Sequence, residues 1–328
     1  MAVSLAASAA CEEGLSNTPP MLFQGQGVSG PVDAAVPDGG PIVVLAAGIA
    51  TPSSIALDSS NVYWTDEVGA VWSVPRSGGA TTLLTTGQAS PLGLVVDGNG
   101  YWVTGGTAKG GGSVVAYRFA TGASTTLATG PGNAYSVAAT PSSIFWLAQG
   151  AAGTGVDLAQ VGLDGGAPAP LAALTGPAAG GGLAIDAETA YFGVGTRAGG
   201  GALFSVPLAG GPPATLWTSA AGQPTDVVLG AGAVYFLVPA ASPQGAIWAV
   251  APGAGPAALV SGLDAPAHLA IDDTSAYWTS PGDGQVYSVP LTGGTPAVVA
   301  ADLVAPLALA VDDAIYVTTI DGVLKLAK

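Results

Sequence analysis

An aromatic pair returns along the chain at a nearly constant interval, and that interval narrows the folds open to it. The pairs are Tyr63-Trp64, Tyr101-Trp102, Phe145-Trp146, Tyr191-Phe192, Tyr235-Phe236 and Tyr277-Trp278, with a worn seventh at Tyr316-Val317. They stand 38, 44, 46, 44, 42 and 39 residues apart. A period of roughly 40–45 residues is that of a four-stranded propeller blade, a unit that buries its faces only when neighbours stack on it.

Each repeat has the same internal order. A first apolar run ends in a turn that often carries Asp (Asp58, Asp97, Asp186, Asp272, Asp312), and the aromatic-pair strand follows. A third run comes next, such as VWSVP at 71–75 or VYSVP at 286–290. Gly-Gly at 78–79, 165–166, 210–211 and 293–294 then supplies the positive-φ positions of a hairpin into a fourth run. The middle runs are continuously apolar, as strands covered on both faces should be. The recurring Asp fits turn chemistry, since its side chain bonds its own backbone, and five copies around a ring stand too far apart to share one metal ion.

The seventh repeat reaches Lys328 after three strands. The run PIVVLAAG at 41–48 resembles the fourth runs of other repeats and can serve as the missing outer strand. The expectation is an all-β, seven-bladed β-propeller of four-stranded antiparallel blades over residues 41–328, closed by an N-terminal strand. Residues 1–40 stand apart. Small residues precede the lone Cys11, and a Gly/Pro/Ser-rich stretch follows, which resembles the end of a bacterial lipoprotein signal with Cys11 as the lipidated residue. Ser8 stands where that family has Leu and no basic segment precedes it, so an uncleaved N-terminus is the other reading. The stretch after Cys11 reads as a flexible linker.

Composition excludes some partners. Six Lys+Arg against 21 Asp+Glu give a formal net charge of −15 with no basic cluster, which rules out nucleic acid and any electrostatic hold on an anionic membrane. A membrane is reached only through a lipid on Cys11. One cysteine allows no internal disulfide, so the core must hold the fold. The sequence implies no cofactor and no metal, and a monomer is expected.

VYWTDE at 62–67 matches the YWTD motif of the low-density-lipoprotein-receptor type of β-propeller, and AYWTSP at 276–281 nearly does. That family is associated with binding proteins in extracellular settings and usually has six blades, one fewer than the repeats here. Its motif residues are structural, so the resemblance transfers no catalytic residue. The repeats do not resemble those of streptogramin-type lyases, seven-bladed propellers that use a His and a metal.

The first strand of each blade lines the channel of a propeller. The equivalent positions at its mouth are Ser54, Gly93, Ser136, Gly182, Asp226, His268 and Ala308. The single His and an Asp thus fall on adjacent blades, beside Tyr135. The connections between second and third strands are long at 103–112, 148–156, 193–201 and 238–245, share the mouth's face, and carry the scarce cations Lys109 and Arg197. Two functions stay open. One is an exported or surface-anchored, extracytoplasmic binding or scaffold module, taking a protein or glycan ligand on the loop-rich face. The other is a lyase or hydrolase at the channel mouth, with His268 and Asp226 as a base and its orienting carboxylate. A lone His with one carboxylate lacks the third ligand of a zinc site.

Overall fold

The computed structural model describes residues 42–105, 111–130, 132–150, 154–176, 178–196, 199–220, 222–240 and 245–328. Their strands form seven antiparallel four-stranded sheets, with no helix among the described residues. Six sheets run in chain order from first to fourth strand. The seventh pairs Leu309–Val311, Ile315–Thr319 and Gly322–Leu326 with the N-terminal strand Val43–Ala47 on its outside. Val43 faces Lys325 and Val44 faces Leu324, so the closure expected from PIVVLAAG holds. We number the blades 1 to 7 in chain order, the last being the composite one. Cys11, Lys109 and Arg197 lie outside the described residues.

A shared irregularity identifies Val43–Ala47 as a true fourth strand. The register slips by one residue between Val44 and Ala46, leaving Leu45 as a bulge. Slips at the same place leave Leu84, Leu127, Leu171, Leu216, Leu259 and Val299 as bulge residues in the other six outer strands. A bulge sharpens the local twist and lets two successive side chains face inward. In the closing strand, Leu45 and Ala46 are both buried while Val43 and Val44 are exposed.

The aromatic pairs sit at the blade interfaces. Successive residues of a strand point to opposite faces, so each pair sends one side chain to each neighbouring blade. Tyr63 packs in a cluster with Trp102, Tyr101 with Trp146, and Phe145 with Phe192. The pattern continues with Tyr191 and Phe236, Tyr235 and Trp278, Tyr277 and Val317, and finally Tyr316 with Trp64 across the closure. The core is therefore seven clusters, one per interface. A buried ring of this size is worth about 3–5 kcal/mol when cut to Ala, which explains why the aromatic position outlasts the rest of the repeat.

The YWTD-like residues of blade 1 serve this frame. Tyr63 donates its hydroxyl to Asp58 Oδ2 at 2.6 Å, and Trp64 stacks on Trp72 with centroids 6.3 Å apart. Buried Asp66 accepts from the Ala70 N–H at 2.8 Å and from Trp72 Nε1 at 2.9 Å. Three of the five turn carboxylates bond their own turn as expected, while Asp312 instead accepts from Arg76. Asp58 Oδ1 accepts from the N–H groups of Ser60 and Asn61, and Asp186 and Asp272 do the same two and three residues on. Gly78 and Gly79 have φ of 85° and 135°, and the other three Gly-Gly turns repeat these values within a few degrees.

Candidate functional site

The first strands surround a cavity of about 510 Å³ at the channel mouth. Ser54, Tyr135, Ser136, Asp226 and His268 all line it, with Ser53, Thr225 and Gln223 beside them. The structure thus brings together every described residue that the sequence places at the mouth. The described ends of two second-to-third connections lie on the same face. Gly105 N–H donates to Ala89 O at 2.7 Å and Gln149 N–H to Asn133 O at 2.8 Å, tying those connections to the entries of first strands.

Glycines let the first strands around this cavity approach closely. Gly181 and Gly182 of blade 4 lie against the backbone of Pro224–Val227, so that a Cβ on either would strike a carbonyl or amide of blade 5. The Tyr135 ring covers Gly180 in the same way. Burial pushes the Tyr135 phenol pKa up, against an opposing backbone bond from Gly180, so Tyr135 is a neutral hydroxyl at physiological pH.

Asp226 works across two blades. Its Oδ2 accepts from the Leu269 N–H at 2.8 Å and lies 3.3 Å from His268 Nδ1. Burial disfavours the imidazolium, but the charge of Asp226 and its hydrogen bond outweigh that and hold the His268 pKa above its ordinary value. His268 still presents 41% of its side chain to the channel. Ser54 mirrors Asp226 at the joint of blades 1 and 2: its Oγ lies 3.3 Å from the Leu94 N–H and 2.6 Å from Thr65 Oγ1. In both cases the mouth residue of one blade receives the N–H just after the mouth residue of the next. These side chains are cross-blade ties as well as lining groups.

A second tier of hydroxyls lies beneath, which sequence reading did not single out. Thr65, Thr279 and Thr318 occupy the position after the aromatic pair. Thr279 Oγ1 accepts from the His268 N–H at 3.2 Å and donates to Leu307 O at 2.7 Å in the next blade. Thr318 Oγ1 accepts from the Ala308 N–H at 3.0 Å. The backbone that carries His268 is therefore fixed from both sides. The recurring Thr after the aromatic pair was the available signal.

Chemically, the mouth offers hydroxyls, one carboxylate and one imidazole whose affinity for a proton that carboxylate raises. Among the described residues, no group of three or more His, Cys, Asp or Glu is placed to hold a metal ion. A larger cavity, about 700 Å³, lies on the opposite, tight-turn face between blades 4 and 5, where no function was expected.

The propeller scaffold has clear counterparts among solved structures. YCF48 bound to D1 peptide is similar at TM-score 0.68 and 10% identity, covering 90% of this chain and 97% of that one. The WD40 β-propeller domain of Doa1 is similar at TM-score 0.62 and 11% identity, over 87% and 94%. A chain of the nidogen/laminin complex is similar at TM-score 0.53 and 16% identity, over 71% and 90%. The shared property is the β-propeller fold. No family model and no curated protein matches the chain, so the YWTD likeness rests on its own residues.

Proposed function

We propose that the chain is a binding or scaffold module that takes a protein or glycan ligand at the channel mouth. The observation that carries this reading is the mouth cavity itself, where convergent polar groups line a preformed hollow on one face of a rigid ring. A protonated His268 anchored by Asp226 donates to carboxylate or hydroxyl oxygens, a use that suits uronate sugars and acidic peptides. Two of the fold neighbours are described with a peptide or a protein partner, a use the propeller scaffold permits without requiring. The proposal extends to an extracytoplasmic monomer, held at a surface by a lipid on Cys11; unmodified Cys11 recovered from the native host would contradict that part.

The test is a panel of immobilised uronate oligosaccharides and acidic peptides, probed with the full chain and with Ser136→Trp, which fills the mouth. A ligand that binds wild type and is lost by a normally melting Ser136→Trp supports the reading. Equal binding by both proteins places the contact elsewhere.

A second reading rests on the 3.3 Å approach of His268 Nδ1 to Asp226, which orients the imidazole as a general base would need. It requires turnover, in a screen of lactones and uronates, that His268→Ala abolishes.

A further inference from the structure

On the tight-turn face, six of the seven blades pack one side chain against the first aromatic of the preceding blade. The position is three residues past the third-strand partner of that blade's own aromatic. In blade 2 it is Phe119, whose ring centroid lies 5.0 Å from that of Tyr63. In blades 3, 4 and 6 it is Leu163, Leu208 and Leu291, which pack in the clusters of Tyr101, Phe145 and Tyr235.

Two interfaces use a cation instead. Arg76 of blade 1 sits over Tyr316, its Cζ 5.1 Å from the ring centre. Its Nε donates to the Tyr316 hydroxyl at 2.9 Å, one terminal nitrogen donates to Asp312 at 2.8 Å, and the other pairs with Asp313. Lys328 of blade 7 sits over Tyr277 with Nζ 6.0 Å from the ring centre and 2.7 Å from Asp272 Oδ2. In both, a cation closes a wall made of a tyrosine face and an aspartate.

The seventh position, in blade 5, is Pro252. The chain reads VAP at 250–252 where blades 4 and 6 read VPL at 206–208 and 289–291, so the proline is displaced by one and the leucine is gone. Pro252 is exposed. The wall it should cover is intact: Tyr191 donates to Asp186 Oδ2 at 3.0 Å, the same distance as Tyr277 to Asp272. Between them lies the cavity of about 700 Å³, whose apolar walls include Leu216, Leu229 and Val250. The neighbouring groove of about 500 Å³ keeps its Leu208, and blade 3 offers it Thr140 and Phe145 in place of an aspartate and a tyrosine.

We propose that the cleft between blades 4 and 5 binds an organic cation, an alkylguanidinium or alkylammonium group, whose head lies on Tyr191 and Asp186 and whose stem lies on the apolar wall. The chain makes this complex with itself at two equivalent interfaces and leaves the third wall open. A net charge of −15 raises the local concentration of such a ligand. The shared chemistry is found in free amines and guanidines and in the Arg or Lys of a partner protein.

The experiment is calorimetric titration of the full chain with butylguanidinium, with neutral butylurea as its isostere, and with N-acetyl-Gly-Arg-Gly-amide. Saturable binding of a cation, at least about tenfold tighter than butylurea and weakened by salt, is expected. Pro252→Leu, which copies the neighbouring blades, should abolish that binding at unchanged or raised melting temperature. Asp186→Asn, which keeps an oxygen for the turn, should weaken it about tenfold. Tighter binding of the peptide assigns the occupant to a partner protein, and tighter binding of butylguanidinium to a free small cation. The proposal is overturned if neither cation binds up to about 10 mM, if butylurea binds as well, or if folded Pro252→Leu binds cation unchanged.

Discussion

The closing strand is where a small change should do most harm, and its bulge allows a controlled comparison. Leu45 is 5% exposed and packs between the last and first blades against Trp64, Tyr316 and Val323. Val43, two residues earlier in the same strand, is 44% exposed. Leu45→Ala should cost about 2–5 kcal/mol, the range for a buried leucine whose surroundings relax only partly. Val43→Ala should stay within about 0.5 kcal/mol. For a chain of this size, each kcal/mol moves the melting temperature by about 2 °C, so the first variant should melt roughly 4–10 °C lower and the second nearly unchanged. Scanning calorimetry on both proteins makes the measurement. Removing residues 1–47 goes further, because it deletes the ladder that joins the last blade to the first. The outer strands of the other blades remain edges in any case. What the strand secures is the joint of the ring, so the truncated protein should expose apolar surface and bind a hydrophobic dye. Equal melting of Leu45→Ala and Val43→Ala would refute the reasoning, because a strand held only by its backbone would not distinguish them.

Two further outcomes follow from the same geometry. Asp226 makes the His268 proton bind more tightly in the folded chain than in the unfolded one, so that stability is full below the ordinary histidine pKa of about 6.5 and is lost as pH rises through the higher folded value. Melting temperature should fall modestly between about pH 6 and 9 in wild type and less in His268→Gln, and the imidazole should titrate above 6.5 by NMR; a titration at or below that value would contradict the pairing. If Arg76 is one of seven equivalent interface residues, Arg76→Leu should melt close to wild type and Arg76→Ala should lose about 1–3 kcal/mol through its lost ring contact and ion pairs. Equal losses would mean that the charge alone matters there.

The fold was legible because its largest energetic requirement repeats. Each interface needs a ring or a large apolar side chain on both faces of one strand, so the aromatic pair survives where the turns and third runs vary. The missing outer strand could be placed for a similar reason, since the bulge demands a large apolar residue at one point and VVLAA supplies it at Leu45. The mouth residues could be listed once the period was known, because equivalent positions of first strands converge by symmetry. Their bonding was less accessible. That Asp226 ties blade 5 to blade 6 through the Leu269 N–H depends on how the two first strands are offset, and no spacing within one repeat reports that offset.

The cleft between blades 4 and 5 shows where reading a single repeat stops. Pro252 is unremarkable in its own sequence context, a proline in a turn beside glycine. Its meaning appears only against the six other residues at that position, and the position is defined by a strand register. Arg76 and Lys328 are among only six basic residues, and their placement in two inter-blade walls accounts for a third of that scarce charge. A chain so short of cations has used two of them to close tyrosine–aspartate walls. At the third such wall on this face that lacks a ring or a leucine over it, the displaced proline leaves the aspartate and the tyrosine ring facing an open cavity. The repeat array thus holds an unfilled copy of a complex the protein already contains, and the chemistry of the two filled copies specifies what the third should accept.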